Sequence, residues 1–242
     1  MIEHHIDLRT ADGLMNTFIT HPEEDGPHPV IFFYMDAPGK REELHDMARR
    51  FGTAGYYVIL PNLYYRQTRD FILDFNSDES RARMRELMYA LGNNMIARDT
   101  QTLIDYVDRD PAADSRRIGC VGYCMSGPFS LYVAGSYPDR IQAAASIYGV
   151  ALMTERKDSP HLQVCNSHAE IYIACAETDD YAPKEMVDNL QNYLEQHHSN
   201  FRIEWYAGTH HGFAFPQRAV YDKLAGERHW ERLHALFTRN LK

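Results

Sequence analysis

The sequence predicts a doubly wound α/β domain, in which a mostly parallel sheet carries helices on both faces. Short runs of β-branched and aromatic residues alternate along the chain with longer stretches whose apolar residues recur at helical spacing. The short runs are nearly continuous in apolar character, which is typical of parallel strands buried on both faces. The 242 residues contain no internal repeat and no linker-like stretch. We therefore expect one domain over residues 1–242.

The elements follow in chain order. Residues 5–9 and 15–20 flank Ala11-Asp-Gly13, which predicts an antiparallel hairpin at one edge of the sheet. Six later runs predict the other strands, at residues 30–34, 57–60, 118–121, 144–148, 171–175 and 201–206. Five apolar stripes predict helices: Leu44, Met47, Ala48 and Phe51; Met84, Leu87, Met88 and Leu91; Ile96, Leu103 and Val107; Met186, Leu190, Tyr193 and Leu194; and Trp230, Leu233 and Phe237. A further helical run is expected from Ser126 to about Gly135.

Composition excludes several classes of protein. A formal net charge of -9 without a basic cluster argues against binding to nucleic acid or to anionic membranes. The first residues, MIEHHIDLRT, lack the apolar run of a secretory signal, and no stretch reaches the roughly 18 apolar residues of a membrane span. The four cysteines, at positions 120, 124, 165 and 175, lack the spacing of a metal site and are too few for a disulfide scaffold. We expect a cytoplasmic protein with free thiols.

The stretch Gly122-Tyr-Cys-Met-Ser126 lies between a predicted strand and a predicted helix, as a nucleophile elbow does. Small residues must flank the nucleophile there; Gly122 fills the first position, and Ser126 stands where glycine is more usual. Cys124 is then either the nucleophile, beside a helix N-terminus that favours thiolate, or a buried core residue. The N–H of Met125 is the first candidate oxyanion donor. Ser126 is a weaker candidate nucleophile, since it lies one step inside the helix.

Two downstream loops supply candidates for an acid and a base in the order that a hydrolase site requires. The loop after residues 171–175 contains Glu177, Asp179 and Asp180, and the loop after residues 201–206 contains His210 and His211. The base would accept the thiol proton, and the acid would orient the imidazole. The alternatives are that the acidic residues cap the next helix and that the two histidines are solvated loop residues. The paired histidines are weak ligand sets, and the sequence has no H-E-x-x-H or C-x-x-C motif and no Gly-rich phosphate loop after the first strand of the predicted parallel sheet, so no metal or cofactor is expected.

This constellation resembles the dienelactone hydrolase family, a Cys-His-Asp branch of the α/β hydrolases, over nearly the whole chain. The matching motifs are Gly122-Tyr-Cys, Asp179-Asp-Tyr-Ala-Pro183 and His211-Gly-Phe-Ala. The resemblance implies a triad of Cys124, Asp179 and His211. It also implies that Phe33-Tyr-Met-Asp-Ala-Pro-Gly39 is the oxyanion loop, in which the N–H of Ala37 is the second donor.

The departures from the family concern the substrate. Asp36 stands where the family has a glutamate that contacts the resting thiol, so Asp36 is a candidate for that contact or for loop capping. Of the two family arginines that bind the substrate carboxylate, one falls on Phe215 and the other on Ala82. Arg81 precedes Met84 and Met88 by three and seven residues and is either a substitute on the inner face or a solvated arginine. Tyr123, beside the nucleophile, is a further candidate for substrate contact.

The predicted function is hydrolysis of a small ester or lactone through a Cys124 thioacyl intermediate, of the carboxymethylenebutenolidase type. One alternative is a carboxylesterase or thioesterase that uses the same triad on another substrate. The other is a non-catalytic binding protein on the same scaffold. The expected partner is a small-molecule ester or lactone.

Overall fold

A computed structural model describes residues 1–242. Eight strands form one sheet: β1 (Ile2–Thr10), β2 (Gly13–His21), β3 (His28–Tyr34), β4 (Tyr57–Pro61), β5 (Ala113–Tyr123), β6 (Ile141–Ile147), β7 (Glu170–Thr178) and β8 (Phe201–His210). Seven helices accompany them: α1 (Glu42–Thr53), α2 (Asp78–Tyr89), α3 (Asn93–Val107), α4 (Gly127–Ser136), α5 (Pro160–Val164), α6 (Lys184–Gln196) and α7 (Lys223–Leu241).

The strand order is β1-β2-β4-β3-β5-β6-β7-β8. The first two strands pair antiparallel with each other, and β2 pairs antiparallel with β4. All remaining pairs, from β4 across to β8, are parallel. The predicted α/β class, the mostly parallel sheet and the antiparallel edge hairpin are confirmed.

Helices cover both faces of the sheet. On one face α1 packs beside α7, where the ring of Phe51 lies 4.8 Å from that of Trp230 and 5.8 Å from that of Phe237. On the other face α3 contacts α4, α4 contacts α5, and α5 contacts α6. Strands β3 and β6, and β5 from Ile118 onward, are almost wholly buried between these layers, because their side chains are apolar on both faces.

The chain turns in opposite directions from β3 and from β5, so these two adjacent strands form a topological switch point. From β3 the chain crosses to β4 on one side, and from β5 it crosses to β6 on the other. Loops at the carboxyl ends of such strands open a crevice in which doubly wound proteins bind ligands. The predicted oxyanion loop follows β3 and the predicted elbow follows β5, so both border this crevice.

Two predicted elements differ from the structure in detail. The apolar stripe of α2 was expected to face the core, yet only Leu87 is buried, while Met84 and Met88 are half-buried. The short helix α5 was not predicted, because five residues are too few to show a period. No helix combines the length and the apolar character needed to cross a bilayer.

Candidate active site

Cys124 lies at the sharp turn where β5 ends and α4 begins. A single turn of 3₁₀-helix, Cys124–Ser126, joins the two elements. The backbone of Cys124 has a φ of 54°, in the left-handed region that non-glycine residues avoid. Its side chain is half-buried, whereas Cys120 and Cys175 are buried, and all four cysteines are free thiols. The turn therefore exposes the thiol at the carboxyl edge of the sheet.

The residues around Cys124 explain how Ser can replace the usual glycine. A Cβ on Gly122 would lie 1.9 Å from the carbonyl oxygen of Ser126, so glycine is required at 122. Ser126 is fully buried; its Oγ accepts the N–H of Tyr123 at 2.9 Å and donates to the carbonyl of Tyr34 at 3.0 Å. The hydroxyl thus fastens the elbow to the end of β3. Engaged in this way, Ser126 is poorly placed to act as a nucleophile.

The acid and base candidates meet at the ends of β7 and β8. Nδ1 of His211 lies 2.7 Å from Oδ2 of Asp179, whose side chain is only 2% exposed. The other carboxylate oxygen of Asp179 accepts the N–H groups of Tyr181 and Ala182, at 2.9 and 3.1 Å. The carboxylate is therefore held by its own loop and orients the imidazole.

The other acid and base candidates in these two loops lie outside the hydrogen-bonded pair. Asp180 and His210 are exposed, and Glu177 accepts the N–H of Gly208 at 2.6 Å. Of the alternatives that the spacing left open, the hydrogen-bonded pair is the one formed by Asp179 and His211.

Proton affinity at His211 is raised. Burial lowers its pKa, but the hydrogen bond to Asp179 and the adjacent Cys124 thiol outweigh burial and raise the pKa to about 9. No hydrogen bond of good geometry joins Nε2 to the sulfur in this conformation, and Nε2 has no other protein partner. A more basic imidazole facing a thiol is suited to accept its proton.

The predicted oxyanion loop after β3 forms a tight turn. The N–H of Gly39, whose φ is 90°, donates to the carbonyl of Asp36 at 3.0 Å. Because the carbonyl of Asp36 and the N–H of Ala37 belong to one peptide unit, that N–H points the opposite way. It donates to no protein acceptor, as an oxyanion donor should.

Asp36 does not contact the thiol. Its buried carboxylate pairs with Arg41, 2.5 Å away, and with Arg218, 3.1 Å away. Two guanidinium groups bind the carboxylate more strongly than a neutral thiol could, which accounts for the absence of the predicted contact.

One cavity of about 480 Å³ contains Cys124, His211, Asp36 and Ala37 in its wall. The rest of its lining is mainly apolar and aromatic: Pro38, Leu73, Phe75, Met84, Met88, Tyr89, Tyr148, Val150, Ala151, Tyr181, Gly212 and Phe215, with Arg81, Arg85 and Arg218. The half-buried methionines of α2 thus face this cavity. Another surface cleft, between the loop 153–155 and α6, contains none of the predicted triad.

The arginines of the cavity differ in how fully they are engaged. Arg81 lines the wall as an inner-face arginine, but its guanidinium bonds to Asp78 and to the carbonyl of Phe75. Arg218, three residues after Phe215, pairs with Asp36 and was missed because nothing in its spacing marks it. Arg85 is exposed and forms no ion pair or hydrogen bond within the protein.

Tyr123 is not in the cavity, so its prediction as a substrate contact is wrong. Successive side chains of a strand alternate between faces, and Tyr123 points beneath the site. It is fully buried, with its ring 5.6 Å from Phe33 and its hydroxyl 3.2 Å from Nε2 of His229.

Tyr148, at the end of β6, lines the cavity instead, with its ring 5.0 Å from that of His211. Its φ is 38° and its buried hydroxyl has no protein partner. Position at the carboxyl end of a parallel strand was the signal that could have found it.

Known proteins resemble this chain in sequence and in fold. A sequence model of the dienelactone hydrolase family matches residues 15–241. The chain belongs to the dienelactone hydrolase family. This is a family of hydrolases on the α/β-hydrolase fold, and the structure described above has that fold.

Individual members of the family are distant from this chain. A Synechocystis protein named "Putative carboxymethylenebutenolidase" is 25% identical over 93% of this chain and 92% of its own length. A Bradyrhizobium protein named "Probable 2-oxo-3-(5-oxofuran-2-ylidene)propanoate lactonase" is 20% identical over 93% of this chain and 89% of its own. A crystal structure described as "Putative Dienelactone Hydrolase", from Klebsiella pneumoniae, superposes with a TM-score of 0.88 at 23% identity, covering 98% of both chains. At these identities the fold is shared, and the substrate is not determined.

Proposed function

We propose that this protein hydrolyses a small carboxylic ester or lactone through a thioacyl intermediate on Cys124. The observation that carries the proposal is the convergence on one cavity of a thiol at a strained turn and an imidazole oriented by a buried carboxylate. A thiol that faces an imidazole oriented by a carboxylate is the arrangement that nucleophilic catalysis requires.

The reaction follows from these positions. The proton of the Cys124 thiol first passes to Nε2 of His211, and the Sγ thiolate then attacks the carbonyl carbon; the C–S bond forms and negative charge develops on the carbonyl oxygen. The N–H groups of Ala37 and Met125 donate to that oxyanion. The C–O bond to the leaving alcohol then breaks, and His211 protonates the departing oxygen. For a lactone, this alcohol remains part of the acyl group.

Deacylation uses the same groups. His211 removes a proton from water, the resulting hydroxide attacks the thioester carbonyl, and the C–S bond breaks. The acid is released and the proton on His211 returns to the thiolate. Asp179 stabilises the imidazolium in both halves of the cycle without itself taking the proton.

Replacing the thiol tests this proposal. With a panel of small lactones and p-nitrophenyl esters, we expect Cys124→Ala to lose about 10³-fold or more in kcat on each substrate that the wild type hydrolyses. Cys165→Ala, which removes a partly buried thiol outside the cavity, should stay within about twofold of wild type. Mass spectrometry of the quenched wild type should show the acyl adduct on Cys124. An active Cys124→Ala variant would exclude the proposal.

A second candidate is a carboxylesterase or thioesterase for larger acyl groups. It is favoured by the cavity of about 480 Å³, a volume typical of sites for drug-sized ligands, and by the exposed rings of Phe75, Tyr89 and Tyr181 around it. A series of p-nitrophenyl esters from two to ten carbons separates the two: kcat/KM that rises with chain length supports the larger-ester function, and a maximum at the shortest chains supports the small-ester function.

A substrate carboxylate, if there is one, would pair with Arg85, because Arg81 and Arg218 already have partners. We expect Arg85→Gln to raise KM about tenfold for an ester with a distal carboxylate and to leave the KM of its neutral methyl ester unchanged. Arg83→Gln is the matched control, since Arg83 lies on the same helix, pairs with Glu86 and is outside the cavity. Equal KM changes for both esters would reject the assignment.

A further inference from the structure

We propose that Tyr64 is a positioning residue that holds the two sides of the oxyanion hole together. The proposal rests on the proposed function, because it concerns the same oxyanion donors. The hydroxyl of Tyr64 donates to the carbonyl of Ala37 at 2.7 Å and lies 3.3 Å from the sulfur of Met125. These are the two residues whose N–H groups are the candidate donors, one after β3 and one after β5.

The hydrogen bond from Tyr64 gives the Ala37 carbonyl a donor that the loop itself does not provide. The peptide unit that carries the Ala37 N–H is already oriented, since the carbonyl of Asp36 accepts from Gly39. The next unit, between Ala37 and Pro38, has no N–H of its own and offers only the Ala37 carbonyl. Tyr64 is the donor to that carbonyl, so Tyr64 fixes the peptide plane that follows the one carrying the Ala37 N–H and limits rotation about the backbone of Ala37.

The contact to Met125 fixes the other donor relative to the first. Met125 is the residue after the nucleophile, and its side chain is buried. One hydroxyl that touches both residues sets the spacing between the loop after β3 and the elbow after β5. That spacing determines whether both N–H groups can reach a single oxyanion, for which donor distances of about 2.7–3.1 Å are needed.

Tyr64 is itself rigidly held, as a positioning residue must be. It is 2% exposed, its N–H donates to Oδ1 of Asn62 at 3.0 Å, and its ring packs edge-on against Phe71 at 6.0 Å. Nδ2 of Asn62 in turn donates to Oδ1 of Asn16 and to the carbonyl of Thr68. The hydroxyl is therefore anchored through the end of β4 to β2, and it does not line the cavity.

Tyr64→Phe removes the hydroxyl and keeps the ring. We expect kcat for an activated aryl ester to fall about tenfold, with KM within about twofold, because the hole stabilises the transition state rather than the bound ester. Alkylation of Cys124 by iodoacetamide builds no oxyanion, so its rate should stay within about twofold of wild type. This pair of measurements separates loss of oxyanion stabilisation from loss of thiol reactivity or of fold.

Tyr65→Phe is the matched control. Its hydroxyl bonds to Asp99 and Thr10 instead, each at 2.8 Å, so neither rate should change. Met125→Leu, which keeps the N–H and removes the sulfur contact, should lower kcat about two- to threefold in the same pattern and serves if Tyr64→Phe does not fold.

Three outcomes overturn the inference: an unchanged kcat in Tyr64→Phe, equal losses in ester hydrolysis and alkylation, or equal effects of Tyr64→Phe and Tyr65→Phe. If Met125→Leu has to stand in for Tyr64→Phe, an unchanged kcat in that variant overturns it as well. Full activity of Cys124→Ala would instead remove the proposed function itself, so the two failures are distinguishable.

Discussion

The proton affinity of His211 is set by its burial and by two neighbours, Asp179 and Cys124. Burial lowers the pKa of the imidazole, but the hydrogen bond from Nδ1 to the buried Asp179 carboxylate and the adjacent Cys124 outweigh it and raise the pKa to about 9, against an ordinary value near 6.5. Because the folded pKa lies above the unfolded one, the pair stabilises the fold in full below about pH 6.5. This stabilisation is lost as pH rises through 9.

Removing the charge of Asp179 tests both the raised pKa of His211 and the pH dependence of stability that follows from it. We expect Asp179→Asn to lower the His211 pKa by more than about one unit, as followed by NMR of the imidazole, and to reduce kcat about 10²- to 10⁴-fold. Urea unfolding of the wild type should show a loss of stability between pH 6.5 and 9 that the variant does not show. Asp180→Asn, at the exposed neighbouring carboxylate, should resemble wild type. A His211 pKa unchanged in Asp179→Asn would contradict the assignment of its cause.

Single residues also show where prediction from the sequence ended. Cys124 and His211 could be predicted because each follows a strand and belongs to a motif. The role of Tyr123 could not, since a motif does not tell which face of the sheet a neighbouring side chain points to. Arg218 reaches the site from an irregular loop, and only the folded path of the chain brings it to Asp36.

Among the elements, the β5–α4 turn depends on one hydroxyl. Ser126 Oγ satisfies the N–H of Tyr123 and bonds to the carbonyl of Tyr34 in a fully buried setting. Ser126→Ala leaves the Tyr123 N–H buried without a partner, and we expect a loss of about 1–3 kcal/mol in the free energy of unfolding, measured with urea.

Ser126→Gly, which restores the more usual residue, should lose at least as much, because it also lacks the hydroxyl. Ser136→Ala is the control: that hydroxyl bonds back to the carbonyl of Tyr132 within α4, and its removal should cost less than about 0.5 kcal/mol. A Ser126→Gly protein as stable as wild type would mean that the hydroxyl contributes nothing at this turn.

Elements were predictable wherever burial imposes a regular period, and less so where it does not. Strand β5 is longer than its apolar run, because Ala113 and Asp114 at its polar beginning also pair with β3, before a register shift that leads to Ile118. Helix α2 carries a stripe with the spacing of a core helix, but Met84 and Met88 face the cavity. Apolar periodicity reports a face hidden from water and does not distinguish a core from a ligand site.

For the whole molecule, the position of the site at the carboxyl ends of the strands was predictable, while the contacts between distant loops were not. Arg41 bonds to both Asp36 and Glu43, Glu43 accepts the N–H of Gln217 at 2.9 Å, and Arg218 returns to Asp36. These contacts join the loop after β3 to the loop after β8 across about 180 residues. Charged pairs of such separation have no sequence signal, since each member alone resembles a surface residue.

The packing of α7 under the sheet adds a buried histidine that links the fold to acid stability. His229 is fully buried: Nδ1 donates to the carbonyl of Gly226, and Nε2 accepts the hydroxyl of Tyr123 at 3.2 Å. This arrangement requires the neutral imidazole, and burial lowers the pKa of His229 to about 3. Since the unfolded chain binds this proton near pH 6.5, the neutral imidazole supports the fold above that pH, and its contribution is lost as pH falls toward 3.

A variant without a titratable group at position 229 should therefore lose less unfolding free energy as the pH falls. We expect His229→Phe to be less stable than wild type at pH 7, because Tyr123 loses its partner. Between pH 6 and 4 the slope of its unfolding free energy against pH should be smaller by about 1.4 kcal/mol per pH unit, the value for one proton. Urea titrations at several pH values measure this slope, and His168→Gln, at an exposed histidine, should keep the wild-type slope. Parallel slopes for wild type and His229→Phe would mean that His229 is protonated in the folded protein and that α7 accommodates the charge.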